Sequence, residues 1–230
     1  MTKDNATPHT AAEYDLSVRQ TIPFYEEIQA EVVDLVKTAQ PDVKWWFDTG
    51  CGTGYLVALA SAAFPRTRFV LADPSEQMLE QARSRLAARN GPRWRFLEPI
   101  GNGELAGRLA GLTPQVTTAI LCHHYLRPAQ RRQALRACHD TLSDGGLFVT
   151  VENVAPLTED GTSIGLARWK RRQLRLGRSE PVVDDHLTRF GTKYFPITID
   201  EHVRLMKEVG FRVVEPFWLS QMQVGLYGLK

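Results

Sequence analysis

The stretch "WWFDTGCGTGYL", residues 45–56, decides the fold of this chain. An apolar run ends in an acid, Asp48, and three glycines follow at alternate positions, Gly50, Gly52 and Gly54. A short apolar run closed by glycines reads as a buried strand entering a tight turn, since glycine takes positive φ at no steric cost. Such turns bind nucleotides in several unrelated ways. The nicotinamide fingerprint G-x-G-x-x-G fits at Gly50 and Gly52 but then requires glycine where Tyr55 stands; Gly54 is one residue early. The phosphate loop G-x-x-x-x-G-K-[ST] needs a lysine that does not follow. A ligand without a pyrophosphate needs only close backbone approach at Gly50 and Gly52.

Outward from this turn, strand and helix alternate. Before it, "TIPFYEEIQAEVVDLVKTAQ" predicts a helix with Pro23 in its first turn and Tyr25, Ile28, Val32 and Leu35 on one face. After it come a small-residue helix over 53–64, a strand in "RTRFVLAD", and a helix from Ser75 as N-cap to a stop at Gly91. "RWRFLE" predicts a third strand, 103–112 a short helix, and "QVTTAILCHH" a fourth strand. A helix opened by Pro128 and closed by Gly145-Gly146 leads into "LFVTVEN", the fifth. That rhythm implies right-handed crossovers and a parallel sheet. It breaks over 153–195 and resumes with a helix whose Thr198 and Glu201 form a capping box and which Gly210 ends. Two closing strands have almost no connection, which permits only an antiparallel pair.

The expected fold is therefore α/β: a Rossmann-like, seven-stranded, mostly parallel sheet with helices on both faces and a C-terminal antiparallel hairpin strand. Residues 1–230 form one domain, with 1–40 as an N-terminal helical lid and 153–195 as an insertion over the active site. The first ten or so residues are expected to be loose.

Composition sets the boundaries. With 230 residues, 43% hydrophobic and 23% charged, the chain can bury a full core. A net charge of +2 does not demand a polyanionic partner. Cys51, Cys122 and Cys138 have no paired spacing, which points to reduced thiols in a cytoplasm and no structural zinc. The start "MTKDNATPHTAAEYD" lacks an apolar signal core, and no run of 18 apolar residues occurs, so a cytoplasmic protein without a membrane span is expected.

Asp48-Thr49-Gly50-Cys51-Gly52-Thr53-Gly54 resembles the first motif, [DE]-x-G-x-G-x-G, of the class I S-adenosylmethionine (SAM) dependent methyltransferases. The resemblance runs from about residue 20 to residue 230. It implies SAM as cofactor and S-adenosylhomocysteine (SAH) as product. By it, Asp73, after the second strand, would take the ribose hydroxyls, Pro74 and Met78 would border the adenosine, and Leu121 and Cys122 would lie along the cofactor. The family often has an aspartate after strand three for adenine; here "FLEPIGNG" offers Glu98 one place off and Pro99 near that position. The opening "SVRQTIPFYEEI" and the closing "GFRVVEPFWLSQMQVGLYGLK" are similar to the branch containing the carboxy-SAM synthases of wobble-uridine tRNA modification, in which Tyr25 would cap the cofactor. Those synthases have serine where Gly52 stands, asparagine where Ile120 stands, and an arginine on the added carboxylate, to which Arg189 is the nearest counterpart.

Candidates for chemistry follow strands four and five, where ligands bind in such sheets. His123 and His124 are each a candidate proton acceptor or a core histidine, and Glu152 a base or a pin for the insertion. The two histidines lack a third ligand for a metal. "RWKRRQLRLGR" would place Arg168, Arg172 and Arg175 on one helical face, as a solvated lid or a reader of phosphate or carboxylate. Trp169 and Trp218 are pocket or core residues. The reading is methyl transfer from SAM to a small-molecule acceptor, with RNA the less favoured partner and a homodimer left open. Its alternatives are a carboxy-SAM synthase-like reaction and a non-catalytic SAM-binding protein.

Overall fold

The computed structural model describes residues 4–87, 89, 93–101, 104, 108, 109 and 111–230. Seven strands form one sheet in the order β3-β2-β1-β4-β5-β7-β6. β1 (Trp45–Thr49) pairs in parallel with β2 (Arg68–Ala72) and β4 (Val116–Ile120). β3 (Trp94–Phe96) extends one side, and β5 (Leu147–Asn153) continues the parallel set beyond β4. β7 (Gln223–Leu229) slots antiparallel between β5 and β6 (Val213–Ser220). Order reverses between β1 and β4, so a crevice opens at the carboxyl ends of those two strands.

Both faces of the sheet are covered. One apolar layer gathers Ile28, Val32 and Val36 of α2 (Tyr25–Ala39), Val57 and Ala60 of α3 (Tyr55–Ala63), and Leu79 and Leu86 of α4 (Glu76–Ala87). The other gathers Leu135 and Cys138 of α5 (Pro128–Thr141) with Met206 and Val209 of α8 (Ile199–Val209). Pro128 opens α5, the Thr198–Glu201 capping box opens α8, and Gly210 at φ 118° closes it. The insertion is a pair of helices, α6 (Glu159–Arg175) and α7 (Glu180–Thr188). Among the described residues no helix is long and apolar enough to cross a membrane.

Three local expectations are corrected. The helix predicted over 21–40 with Pro23 in its first turn is α2 and begins only at Tyr25, after Phe24 turns at φ 57°; a separate helix, α1 (Tyr14–Thr21), precedes it. Residues 4–9 are not loose: Asp4 accepts from Ser75 Oγ (2.5 Å) and Gln77 N (3.2 Å) at the start of α4, and Arg189 Nη2 donates to Ala6 O (2.9 Å). Arg172 leaves the expected arginine face and stacks over Phe24, 4.6 Å from its ring centre, while Arg168, Arg171 and Arg175 share a surface groove. The Gly91 stop and most of the 103–112 helix lie outside the described residues.

Candidate active site

The glycine turn follows β1 directly. Gly50, Gly52 and Gly54 have φ of 65°, 53° and 72°. Cys51 N–H donates to Ala72 O (3.0 Å) and Gly52 N–H to Asp73 Oδ2 (2.9 Å), so β2 anchors the turn. The second and third glycines differ in purpose. A Cβ at Gly52 would meet nothing within 4 Å, whereas one at Gly54 would stand 3.0 Å from Ala82 Cβ and 3.3 Å from Ala82 Cα. Gly52 leaves room for a ligand; Gly54 lets α4 pack against the turn.

Two clefts flank this region. The first is lined by the turn itself with Tyr25, Asp48, Leu121 and, from outside the expected set, Tyr14, Gln29, Tyr55 and Ile120. Asp48 is buried at the end of β1, and burial raises its pKa to about 7. Thr118 Oγ1 donates to its Oδ1 (2.6 Å) while accepting from Trp46 Nε1 (3.0 Å), which opposes that rise. Asp73 is also raised by burial, to about 6, against the pull of the Ser75 and Gly52 amides. Among the described residues neither acid has an ion pair. Among the other residues expected around the cofactor, Met78 is buried, Pro74 is exposed, and Cys122 is half-buried with its thiol 3.5 Å from Thr49 O. None of these three, nor Asp73 or Gly54, lines the cleft; Asp73 stands behind it, on the Gly52 amide.

The second cleft shares Tyr14 and Leu121 with the first. Its walls come from far apart in the chain: Thr7, Pro8 and His9, then Val18, Thr21 and Ile22, then His124 and Tyr125, Asn153, His186 and Tyr194. Leu121 sits between the clefts at φ 56°, a strained conformation for leucine, held by its N–H donating to Val151 O (2.7 Å). The roof is pinned from both sides. Trp169 Nε1 donates to Thr21 O (2.6 Å), and Asp15 of α1 accepts from Thr53 Oγ1 (2.7 Å) and pairs with Arg85. Trp169 is wholly buried and serves as core, and Trp218 packs against Phe24.

The two histidines part company. His124 lines the second cleft; His123 is buried against Phe148 with both ring nitrogens unpartnered, and burial lowers its pKa to about 4. Glu152 receives four donors: His123 N (3.1 Å), Thr150 Oγ1 (2.9 Å), His124 N (2.8 Å) and His124 Nδ1 (2.8 Å). Burial pushes its pKa upward, yet the His124 bond and the surrounding histidines outweigh that and hold it at about 2. An ionised Glu152 fixes the His124 proton on Nδ1 and leaves Nε2 with a lone pair. Asn153 Nδ2 lies 3.3 Å from that nitrogen and, with Nδ1 protonated, donates to it; Gln223 Nε2 donates to Asn153 Oδ1 (2.9 Å), and Gln223 Oε1 is buried without a partner. Buried Arg131 ties the same turn down, donating to the carbonyls of His123, Leu126 and Phe195. The sequence carried no signal for Arg131 or Tyr14, because their roles depend on which distant backbones meet.

Residues 47–148 match a family model described as a methyltransferase domain. A carboxy-S-adenosyl-L-methionine synthase of Methylococcus capsulatus is 25% identical over 223 residues, 96% of this chain and 90% of that protein. In fold, the chain is similar to an O-methyltransferase family protein from Burkholderia thailandensis (TM-score 0.68, 15% identity, 96% of this chain). It is also similar to human N-acetylserotonin methyltransferase in complex with SAM (TM-score 0.61, 14% identity, 98% of this chain). The chain spans 59% and 60% of those two solved chains.

Proposed function

We propose that this chain, whose residues 47–148 match a methyltransferase domain, transfers a methyl group from SAM in the first cleft to a small acceptor in the second. One observation carries the reading: the clefts meet at Tyr14 and Leu121, and His124, aligned by Glu152, stands on the acceptor side of that junction. The first cleft suits the cofactor. Its open Gly52 admits close approach, and two buried acids without cations, Asp48 and Asp73, suit a ligand that brings positive charge and hydroxyl donors.

When bound, SAM supplies a methyl group activated by a cationic sulfonium, whose sulfur leaves as a neutral thioether carrying the C–S electron pair. The residues of this chain have the task of alignment. Tyr14 and Leu121 close the space between donor and acceptor, and positioning of this kind supplies up to about 7–11 kcal/mol of barrier lowering. His124 Nε2, released by the Asn153 amide as the acceptor binds, takes the acceptor's proton as the new bond to methyl forms, and Glu152 holds the resulting imidazolium; a positioned base of this sort contributes about 10²–10⁴-fold. Glu152 itself, with four donors on it, acts as the orienting partner, and His123 stays in the core.

The test is turnover with SAM carrying a labelled methyl group against a panel of phenols, amines and thiols. Labelled product with stoichiometric SAH is expected; bound SAM with no SAH across the panel would favour the non-catalytic reading. A second reading has its own support. The similarity to a carboxy-SAM synthase covers nearly the whole of both chains. Glycine at position 52 and isoleucine at 120, where the synthase branch has serine and asparagine, weigh against it.

A further inference from the structure

Across the acceptor cleft from His124 stands a second histidine with no part in the chemistry above. His186, from α7, lines the cleft and is 4% exposed. Its Nδ1 lies 3.2 Å from Gln173 Nε2. The Gln173 amide has one orientation available, because its Oε1 accepts from the Arg178 guanidinium, which only donates. Its NH₂ end therefore faces the ring, and His186 Nδ1 must be the acceptor nitrogen. A neutral imidazole then carries its proton on Nε2, the nitrogen left for a ligand in the cleft. The ring is neutral at ordinary pH: burial, followed by Arg178 and His9, lowers its pKa to about 3. Packing fixes its plane, with Trp169 edge-on at 4.9 Å and Tyr194 stacked at 6.2 Å.

His124 holds the opposite tautomer, set by an anion instead of a cation. Glu152 draws its proton to Nδ1, and the Asn153 amide confirms Nε2 as the lone-pair side. The two rings flank the same tyrosine, Tyr194, at 5.8 and 6.2 Å. We infer that the acceptor cleft is polarised, with a proton at His186 Nε2 and, at His124 Nε2, a lone pair that a ligand hydroxyl takes over from the Asn153 amide lining the same cleft. It selects acceptors that carry a hydrogen-bond-accepting oxygen besides the group that gives up its proton. Losing such a donor leaves a buried oxygen unpaired, the kind of mismatch that discriminates most strongly between substrates. The acceptor half of this inference rests on the methyl-transfer reading; the two tautomers do not.

Long-range ¹H–¹⁵N correlation spectra of the full chain at neutral pH read both rings directly, with assignments from His124→Gln and His186→Gln. Opposite patterns are expected, Nδ1–H for His124 and Nε2–H for His186; one shared tautomer, or Nδ1–H at His186, overturns the proposal. Gln173→Glu replaces the donor with an acceptor and is expected to move the His186 proton to Nδ1 while leaving His124 unchanged. The wild-type spectrum decides the matter alone if that variant does not fold. Catechol, as a probe with one hydroxyl for each ring, is expected to shift both Nε2 resonances; a shift of neither, or of His124 alone, overturns the selectivity. Calorimetry of SAM on the same samples separates the two failures, since absent SAM binding defeats the methyl-transfer reading and leaves the tautomers standing.

Discussion

The two clefts on either side of Leu121 are built by different means. The glycine-turn cleft is centred on one nearly contiguous run, Asp48, Gly50 to Thr53, Tyr55 and Leu56, whose backbone is set by β1, β2 and the positive-φ glycines, with Tyr14, Tyr25, Gln29, Ile120 and Leu121 closing its sides. The acceptor cleft is an assembly of side chains from six separate parts of the chain, held by a roof that Trp169, Asp15 and Asp4 pin in place. A site made of backbone is hard to vary without losing the fold. A site made of side chains on lids and turns is free to change its ligand, which is where acceptor specificity in such a fold belongs.

That division yields separable effects. The largest is expected at His124→Ala, which should lower kcat by about 10²–10⁴-fold while calorimetry finds the SAM Kd essentially unchanged. Retained turnover would remove the base from the account. On the other side, Asp73→Asn should weaken SAM about 10–100-fold, as expected for lost charged hydrogen bonds, and leave the acceptor KM alone. An equal change in both constants would show that the clefts are not independent.

Gly54→Ala should cost on the order of 2–4 kcal/mol of stability through overpacking on Ala82 at a positive φ, visible as a lower denaturant midpoint. Gly52→Ala, with open space around it, should cost only about 1–2 kcal/mol. Equal midpoints for the two variants would contradict the roles assigned to them.

The smallest effect concerns pH. Asp48 and Asp73, raised to about 7 and about 6, are partly protonated in the free protein, and a cationic ligand binds their ionised forms more tightly. SAM affinity should therefore rise between pH 6 and 8 by about tenfold at most, with proton release on binding that calorimetry in buffers of different ionisation enthalpy would count. Proton uptake would reverse the argument.

The sequence made the backbone-built cleft legible. The spacing of Gly50, Gly52 and Gly54 after a strand, the strand–helix rhythm, the Thr198–Glu201 box and the hairpin all express local rules that survive in the fold. It left the other cleft dark. Tyr14, His9, His186 and Tyr194 meet only because α1, the 4–9 strap and the insertion fold over one spot, and no local period announces that. "HHY" was legible as a candidate, but not the division of labour within it. Only the tertiary positions of Glu152 and Phe148 send His124 to the cleft and His123 to the core. The face of Tyr25, Ile28 and Val32 announced α2, but not that Phe24 delays its start to Tyr25 or that α1 precedes it.

The most direct test of the central claim is the mass of the nucleoside that the purified protein carries. SAM or SAH is the expected result, with the cofactor converted to SAH once a competent acceptor is supplied. A cofactor heavier by a carboxyl group would contradict methyl transfer and establish the synthase reading in its place.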